Sequence, residues 1–157
     1  MTTLSTSSSS SATKTKASKT KSTAVASASA SANPVNGHAT CTASSVAIPQ
    51  STQTYTQYFV GAGVTENPVN PGNDNIQQAP INSTLSGSYA SDCDAIAACA
   101  YAANYAAYQY YSFDLHFVNS TQQWICTQYY DPNTKPEYFN VKNDDVVVAY
   151  GYYNPNF

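Results

Sequence analysis

The sequence predicts an α+β fold, in which one Ala-rich helix packs on a small antiparallel sheet and a disordered tail precedes the domain. Three observations support this prediction. The first 32 or so residues are almost entirely Ser, Thr, Ala and Lys. One Ala-rich segment begins at a helix-capping residue near position 91, and beyond it aromatic residues alternate with polar ones, as in half-buried strands. We therefore expect a stalk at 1–40 and one domain at 41–157.

The predicted stalk is too polar to fold by itself. After the initial Met, Leu4 and Val25 are its only larger aliphatic side chains before the first proline, so burial cannot offset chain entropy. Its composition is typical of an O-glycosylated stalk. The lysines of Lys14–Lys21 could contact an anionic polymer or nucleic acid, but we expect a solvated tail that its charge keeps soluble.

The charge of the predicted domain excludes some partners. Residues 41–157 carry two lysines and nine acidic residues, and the chain has no Arg. Because Arg is the usual side chain that contacts phosphates and guanine edges, we expect no nucleic-acid partner. No apolar run reaches the length of a membrane span. An apolar signal segment is not visible after Met1, so we expect that the chain begins after its signal or that export uses another route.

The domain begins with a predicted strand and a long loop. Tyr55–Val60 is rich in strand-forming residues, and Gly61 and Gly63 end it. Asn67–Asn75 follows as a loop of Pro, Asn and Gly, and loops of this length in small domains are either functional or flexible.

The predicted helix spans Ser91 to Tyr108. Ala favours helix formation, Ser91 can cap the first turn, and Asp94 three residues later completes a capping box. Beyond this helix we predict four antiparallel strands, which are Tyr111–Phe117, Trp124–Tyr130, Tyr138–Val141 and Val146–Tyr153.

The four cysteines predict two disulfides. Their spacing fits neither a zinc ribbon nor a CxxC redox site. Cys93 and Cys99 lie six residues apart on the helix, which separates their Cα atoms by about 9 Å, beyond disulfide reach. Each must pair with Cys41 or Cys126. Two structural disulfides indicate an oxidising compartment outside the cytosol.

Two sequons agree with an exported chain. Asn82-Ser-Thr84 and Asn119-Ser-Thr121 are acceptor sites for N-glycosylation. Asn119 is the better candidate because it falls at a predicted turn.

Three segments together resemble the core of PAN/apple-type modules, namely Asp92-Cys93…Cys99, Tyr110-Tyr-Ser-Phe-Asp-Leu-His116 and Trp124-Ile-Cys-Thr-Gln-Tyr129. More narrowly, the region from about Ser91 to Tyr153 is similar to uncharacterised secreted fungal proteins with such a core. The resemblance implies a PAN/apple-like fold, with Cys93 bonded to Cys126 and Cys99 to Cys41. It also implies binding of proteins or carbohydrates without catalysis.

Asp114 and His116 share one face of a predicted strand. Such a pair could hold a metal or form part of a catalytic relay, but the other histidine, His38, lies beside the predicted tail, and no nucleophile-elbow motif is present. We expect a solvated strand face with no catalytic residue, metal or cofactor. A deep pocket that holds both side chains and a third polar group would instead favour an enzyme.

Tyrosine supplies the candidate binding residues. The chain has fourteen tyrosines, and a ring with a hydroxyl suits both sugar stacking and protein interfaces. A Tyr-filled core is the alternative, since Tyr is common in strands. Adjacent tyrosines on a strand point to opposite faces, so we expect some exposed rings and select Tyr129, Tyr150 and Tyr152.

These observations predict a secreted or cell-wall-associated, non-enzymatic surface protein. We expect it to bind a cell-wall polysaccharide or another extracellular protein through exposed tyrosines. A secreted effector that binds a host protein is the alternative, and a hydrolase is the third hypothesis.

Overall fold

A computed structural model of the chain describes residues 31–35, 38–68, 79–106, 109–131 and 133–156. The first 30 residues of the predicted stalk, with the run Lys14–Lys21, and most of the predicted loop Asn67–Asn75 lie outside these ranges. The strands are β1 (Ser31–Val35), β2 (His38–Thr40), β3 (Ser45–Ala47), β4 (Thr54–Gly61), β5 (Val64–Thr65), β6 (Ile81–Thr84), β7 (Ser112–Val118), β8 (Gln123–Tyr129), β9 (Val141–Lys142) and β10 (Val146–Tyr153). Helix α1 (Asp92–Tyr105) lies between β6 and β7, and a 3₁₀ helix spans Pro136–Tyr138.

Six strands form the main sheet, in the order β3-β4-β10-β7-β8-β6, with every neighbouring pair antiparallel. One helix packed on an antiparallel sheet confirms the predicted α+β class. The last strand, β10, occupies the centre between β4 and β7. Its sequence Val-Val-Val-Ala-Tyr-Gly-Tyr-Tyr is nearly continuous in apolar and aromatic residues, as expected of a strand that is covered on both faces.

Helix α1 begins as its sequence predicts. The Ser91 side chain accepts from the Asp94 N–H, and the Asp94 carboxylate accepts from the Ser91 N–H. A cap of this type contributes about 1 kcal/mol. The buried stripe consists mainly of Ala95, Cys99 and Ala103, spaced four residues apart. These small side chains allow the helix to approach the sheet closely.

Aromatic residues fill the space between α1 and the sheet. Phe113, Leu115 and Phe117 alternate along β7 and are buried, as the period of two predicts. Tyr152 stacks on Phe113 with ring centroids 5.3 Å apart, and Tyr55 packs on the same ring.

Two disulfides connect α1 to its surroundings, but the pairing differs from the one implied by the PAN/apple resemblance. Cys41 bonds Cys93, and Cys99 bonds Cys126, so the predicted Cys93–Cys126 and Cys99–Cys41 bonds are wrong. The position of each cysteine relative to the buried stripe of α1 explains this pairing. Cys99 is fully buried on the face towards the sheet and can reach Cys126 on β8, whereas Cys93 is only half-buried and meets the segment after β2.

Two further predictions need correction. Strands β1 and β2 pair within 31–40, inside the segment predicted as stalk, and β2 contacts α1. The predicted strand Tyr138–Val141 is instead the end of the 3₁₀ helix followed by β9, which pairs with β5 outside the main sheet. Pro136 at the start of this segment favours a helical turn over a strand.

The face of the sheet opposite α1 is also covered. A second cluster of buried residues, Phe139, Val146 and Ala149, packs there with Tyr58 and Phe59. Phe59 and Phe139 stack with centroids 3.7 Å apart. The segments that carry β5 and the 3₁₀ helix therefore cover a sheet face that the sequence predicts to be solvated.

Candidate functional site

The polar face of β7 is buried. Asp114 is 1% exposed and His116 is 8% exposed, so the predicted solvated strand face is wrong. The sequence period places both side chains on the correct common face, but it contains no information about the loops that cover that face. In the cross-strand register, Asp114 lies between Gly151 of β10 and Thr127 of β8. Thr127 in turn pairs with Asn82 of β6.

A bulge in β4 brings a tyrosine onto this face. The pairing of β4 with β10 shifts between Phe59 and Gln57, which leaves Tyr58 as the extra residue. The Tyr58 ring then lies over Gly151, where a Cβ atom would come within 2.7 Å of it and of Phe139. Only glycine leaves room for both rings at this position.

Glu66 is the third ionisable side chain of the site, and sequence analysis missed it. It follows β5 and is 3% exposed. Tyr58 Oη donates to Glu66 Oε2 at 2.8 Å, and Asn133 Nδ2 donates to Oε1 at 2.6 Å. A single Glu beside a loop gives no sequence signal, because its partners come from β4 and from a loop 67 residues away.

Asp114 connects Glu66 to His116. Asp114 Oδ2 accepts from the backbone N–H of Glu66 at 3.3 Å and lies 3.1 Å from His116 Nδ1. The other carboxylate oxygen, Asp114 Oδ1, is buried and has no hydrogen-bond partner among the described residues. An unpaired buried carboxylate oxygen is costly, so it marks a position where a donor would be stabilised.

The environment shifts the ionisation of Glu66. Burial, together with the nearby Asp114 charge, raises the pKa of its carboxyl from 4.5 to about 8, against the lowering effect of the hydrogen bonds from Tyr58 and Asn133. Glu66 is therefore mostly protonated at neutral pH. Burial, with the charges of Glu66 and Asp114, also raises the pKa of Tyr129 well above its usual value.

These side chains line a cavity of about 390 Å³, which we call the polar cavity. Besides Glu66, Asp114 and His116, its wall contains polar residues and a smaller number of apolar ones, which are Thr65, Asn82, Thr127, Asn143, Pro68, Pro80, Ile125 and Tyr129. None of the described residues that line it is Lys or Arg. The cavity thus offers both hydrogen-bond donors and acceptors without a basic side chain, and it suits a neutral ligand rich in hydroxyl groups.

The polar cavity does not have the ligand set of a metal site. Within the described ranges, no three His, Cys, Asp or Glu side chains come close enough together to hold a metal ion.

The three tyrosines predicted to form a binding surface are core residues. Tyr129, Tyr150 and Tyr152 are 1% exposed or less, so they cannot stack on a ligand at the surface. Tyr150 Oη donates to Asp92 Oδ2 at 2.6 Å, and Tyr152 Oη donates to the Ala43 carbonyl at 2.7 Å. Their hydroxyls therefore serve internal hydrogen bonds. Tyr129 alone contributes to a cavity wall.

Among the described residues, the exposed aromatic rings lie on α1 instead. Tyr101 and Tyr105 are 53% and 48% exposed, and their ring centroids lie 4.5 Å apart. Their spacing of four residues places them on one face of the helix, away from the buried stripe. The helical period could have predicted that these two tyrosines lie together on the exposed face of the helix.

The two sequons differ in their surroundings. Asn82 and Asn119 are both exposed, on β6 and at the turn after β7. Asn82 also lines the polar cavity, whereas Asn119 does not. A glycan on Asn82 would therefore stand beside the cavity.

A second cavity, of about 310 Å³, lies on the other side of the sheet near the start of α1. Its wall is mostly apolar and includes Val60, Phe117, Trp124 and Val148. It does not contain the clustered ionisable groups of the polar cavity.

Comparison with protein-family models, curated proteins and solved structures finds no match to this chain. The resemblance to PAN/apple-type modules therefore stays a prediction. Among the described residues, no helix combines the length and the apolar character that are needed to cross a bilayer.

Proposed function

We propose that this chain is an extracellular carbohydrate-binding protein whose binding site is the polar cavity. The single observation that carries the proposal is the buried Asp114 carboxylate, which has one oxygen without a partner among the described residues and lies in a cavity wall. A sugar hydroxyl is a donor of the right size and charge for this oxygen. Binding would satisfy the carboxylate without requiring a basic side chain.

The remaining wall supports the same ligand class. Thr127 and Asn143 can donate to and accept from hydroxyls, while Pro68 and Ile125 provide apolar surface for the C–H face of a sugar ring. Phosphorylated or carboxylated ligands fit poorly, because no Lys or Arg among the described lining residues would balance their charge.

The extracellular part of the proposal rests on the two disulfides and on the exposure of both sequons. Attachment to a cell wall, with the Ser/Thr-rich segment as a glycosylated stalk, extends the proposal. It agrees with the composition of residues 1–30, which lie outside the described ranges.

Binding of another protein is the second candidate. The exposed pair Tyr101 and Tyr105 favours it, because exposed aromatic side chains are enriched at protein interfaces. A host protein bound by a secreted effector would be one such partner.

Asp114→Asn tests the carbohydrate site. Affinity for chitohexaose, laminarihexaose, cellohexaose and mannohexaose is measured by calorimetry. We expect the wild type to bind at least one of them, and the variant to bind it at least 10-fold more weakly, because a hydrogen bond to a charged group contributes about 1.5–3 kcal/mol.

Asp144→Asn serves as the matched control, because Asp144 is exposed and outside the cavity wall. It should leave the affinity unchanged. Equal binding by wild type and Asp114→Asn, or no binding to any of the four oligosaccharides, would contradict the proposal.

A further inference from the structure

We infer that the polar cavity is also a catalytic site, where Glu66 and the pair Asp114–His116 hydrolyse a glycosidic bond of the bound carbohydrate. This inference rests on the proposed function, and it departs from the sequence-based expectation of a non-enzymatic protein. The sequence favours an enzyme if a deep pocket holds Asp114, His116 and a third polar group, and the polar cavity brings these two side chains together with Glu66.

The two acidic side chains of the site are both buried, but they have different hydrogen-bond partners. Glu66 is 3% exposed and held at both oxygens by Tyr58 and Asn133, and its raised pKa keeps it protonated at neutral pH. Asp114 Oδ2 accepts a hydrogen bond from the Glu66 N–H, and the same oxygen lies 3.1 Å from His116 Nδ1. A protonated acid that shares a cavity with a second acidic side chain is a common arrangement in glycoside hydrolysis.

The contact with Asp114 also sets the role of His116. In the neutral imidazole, Nδ1–H donates to Asp114 Oδ2 across 3.1 Å, and Nε2 then keeps its lone pair. An oriented imidazole of this kind can accept a proton from water. His116 is therefore the base, and Asp114 positions it through Oδ2.

Asp114 Oδ1, which has no hydrogen-bond partner among the described residues, marks where the ligand would bind in this inference as well. It belongs to a side chain that is 1% exposed and lines the cavity. A hydroxyl bound at Oδ1 would hold the sugar within the same wall as Glu66 and His116.

The reaction consumes only water. Glu66 gives its proton to the leaving glycosidic oxygen as the bond from that oxygen to the anomeric carbon breaks. A water oxygen forms the new bond to the anomeric carbon, and His116 Nε2 takes the proton that the water loses. Transfer of one proton back to Glu66 through solvent restores both groups. The products are two shorter sugars, one of which carries the oxygen of the water.

The test uses the complete chain with each of the four oligosaccharides in water enriched in ¹⁸O. Mass spectrometry follows chain shortening and ¹⁸O at the new reducing end, while calorimetry follows binding. We expect wild type to cleave the oligosaccharide it binds. Glu66→Gln should bind it within threefold of wild type and cleave it at least 100-fold more slowly, since a positioned acid contributes about 10²–10⁴-fold.

Two further variants keep the test decisive if Glu66→Gln folds poorly. His116→Asn retains a donor towards Asp114 but has no group in place of Nε2, and it should slow cleavage at least 10-fold. Glu137→Gln changes the exposed Glu of the 3₁₀ helix and should cleave at the wild-type rate.

The outcomes separate the two proposals. Binding with no cleavage overturns the catalytic inference and leaves the carbohydrate site intact. Absence of binding overturns both. If Glu66→Gln and His116→Asn both cleave at the wild-type rate, Glu66 is not the acid and His116 is not the base, even if the chain is a hydrolase.

Discussion

Glu66 couples the stability of the domain to pH. In the folded chain, burial raises the pKa of its carboxyl from 4.5 to about 8, so the folded state holds this proton over a range in which the unfolded chain releases it. The associated stability is fully present below about pH 4.5 and is lost as the pH rises to about 8. The difference amounts to about 5 kcal/mol at most.

Glu66→Gln should remove this dependence. Gln does not titrate, and its amide can accept from Asn133 and donate to the Tyr58 hydroxyl. We expect the variant to gain stability relative to wild type between pH 4.5 and pH 8, as measured by urea unfolding at a series of pH values. Glu137→Gln should follow the wild-type curve. Parallel curves for wild type and Glu66→Gln would contradict the burial of a protonated carboxyl.

At the level of single residues, the sequence predicts only part of the site. The period of two correctly gives the common face of Asp114 and His116. It does not predict their burial, because the covering segments carry no periodic pattern. Glu66 and Tyr58 meet through a β-bulge and a glycine contact, and neither feature leaves a signal in the local sequence.

Helix α1 shows that local sequence signals can predict where a whole element begins and which of its faces is buried. Ser91 and Asp94 fix its start, and the capping box is present as predicted. The stripe of Ala95, Cys99 and Ala103 could also have assigned the disulfides, because only a cysteine on the sheet-facing stripe can reach a strand. The PAN/apple resemblance gave the opposite pairing. The helical period of α1 therefore predicts the disulfide pairing better than the resemblance does.

The pairing has a direct test at the scale of the helix. Asp-N protease cuts before Asp94 and so separates Cys93 from Cys99. Non-reducing digestion should give fragments in which Cys41 is linked to Cys93 and Cys99 to Cys126. A fragment that joins Cys93 to Cys126 would contradict the fold around α1.

The two disulfides should also differ in their effect on stability. Chain-entropy arguments give about 4 kcal/mol for the Cys41–Cys93 loop and about 3.5 kcal/mol for the shorter Cys99–Cys126 loop. The sequence separations are 52 and 27 residues. Replacing each pair by Ala and measuring urea unfolding should show losses of this order.

For the whole molecule, the central strand β10 separates two regions with different roles. On one side, α1 and the aromatic rings form the main core and bury Tyr150 and Tyr152. On the other, β5 and the 3₁₀ helix cover the sheet next to the polar cavity. The sequence predicts the helix and the strands of the first region, because they follow from amphipathic patterns, but it does not predict the burial of Tyr150 and Tyr152. The second depends on contacts between loops and sheet that are distant in the chain.

The most direct test of the account is to locate the bound sugar by NMR. Amide shifts of the ¹⁵N-labelled chain are recorded while the oligosaccharide that binds in calorimetry is added. We predict that the largest changes fall on residues of the polar cavity, namely Glu66, Asp114, His116, Thr127 and Asn143. Changes that cluster instead around Tyr101 and Tyr105, with the cavity residues unaffected, would contradict the assignment of the polar cavity as the binding site.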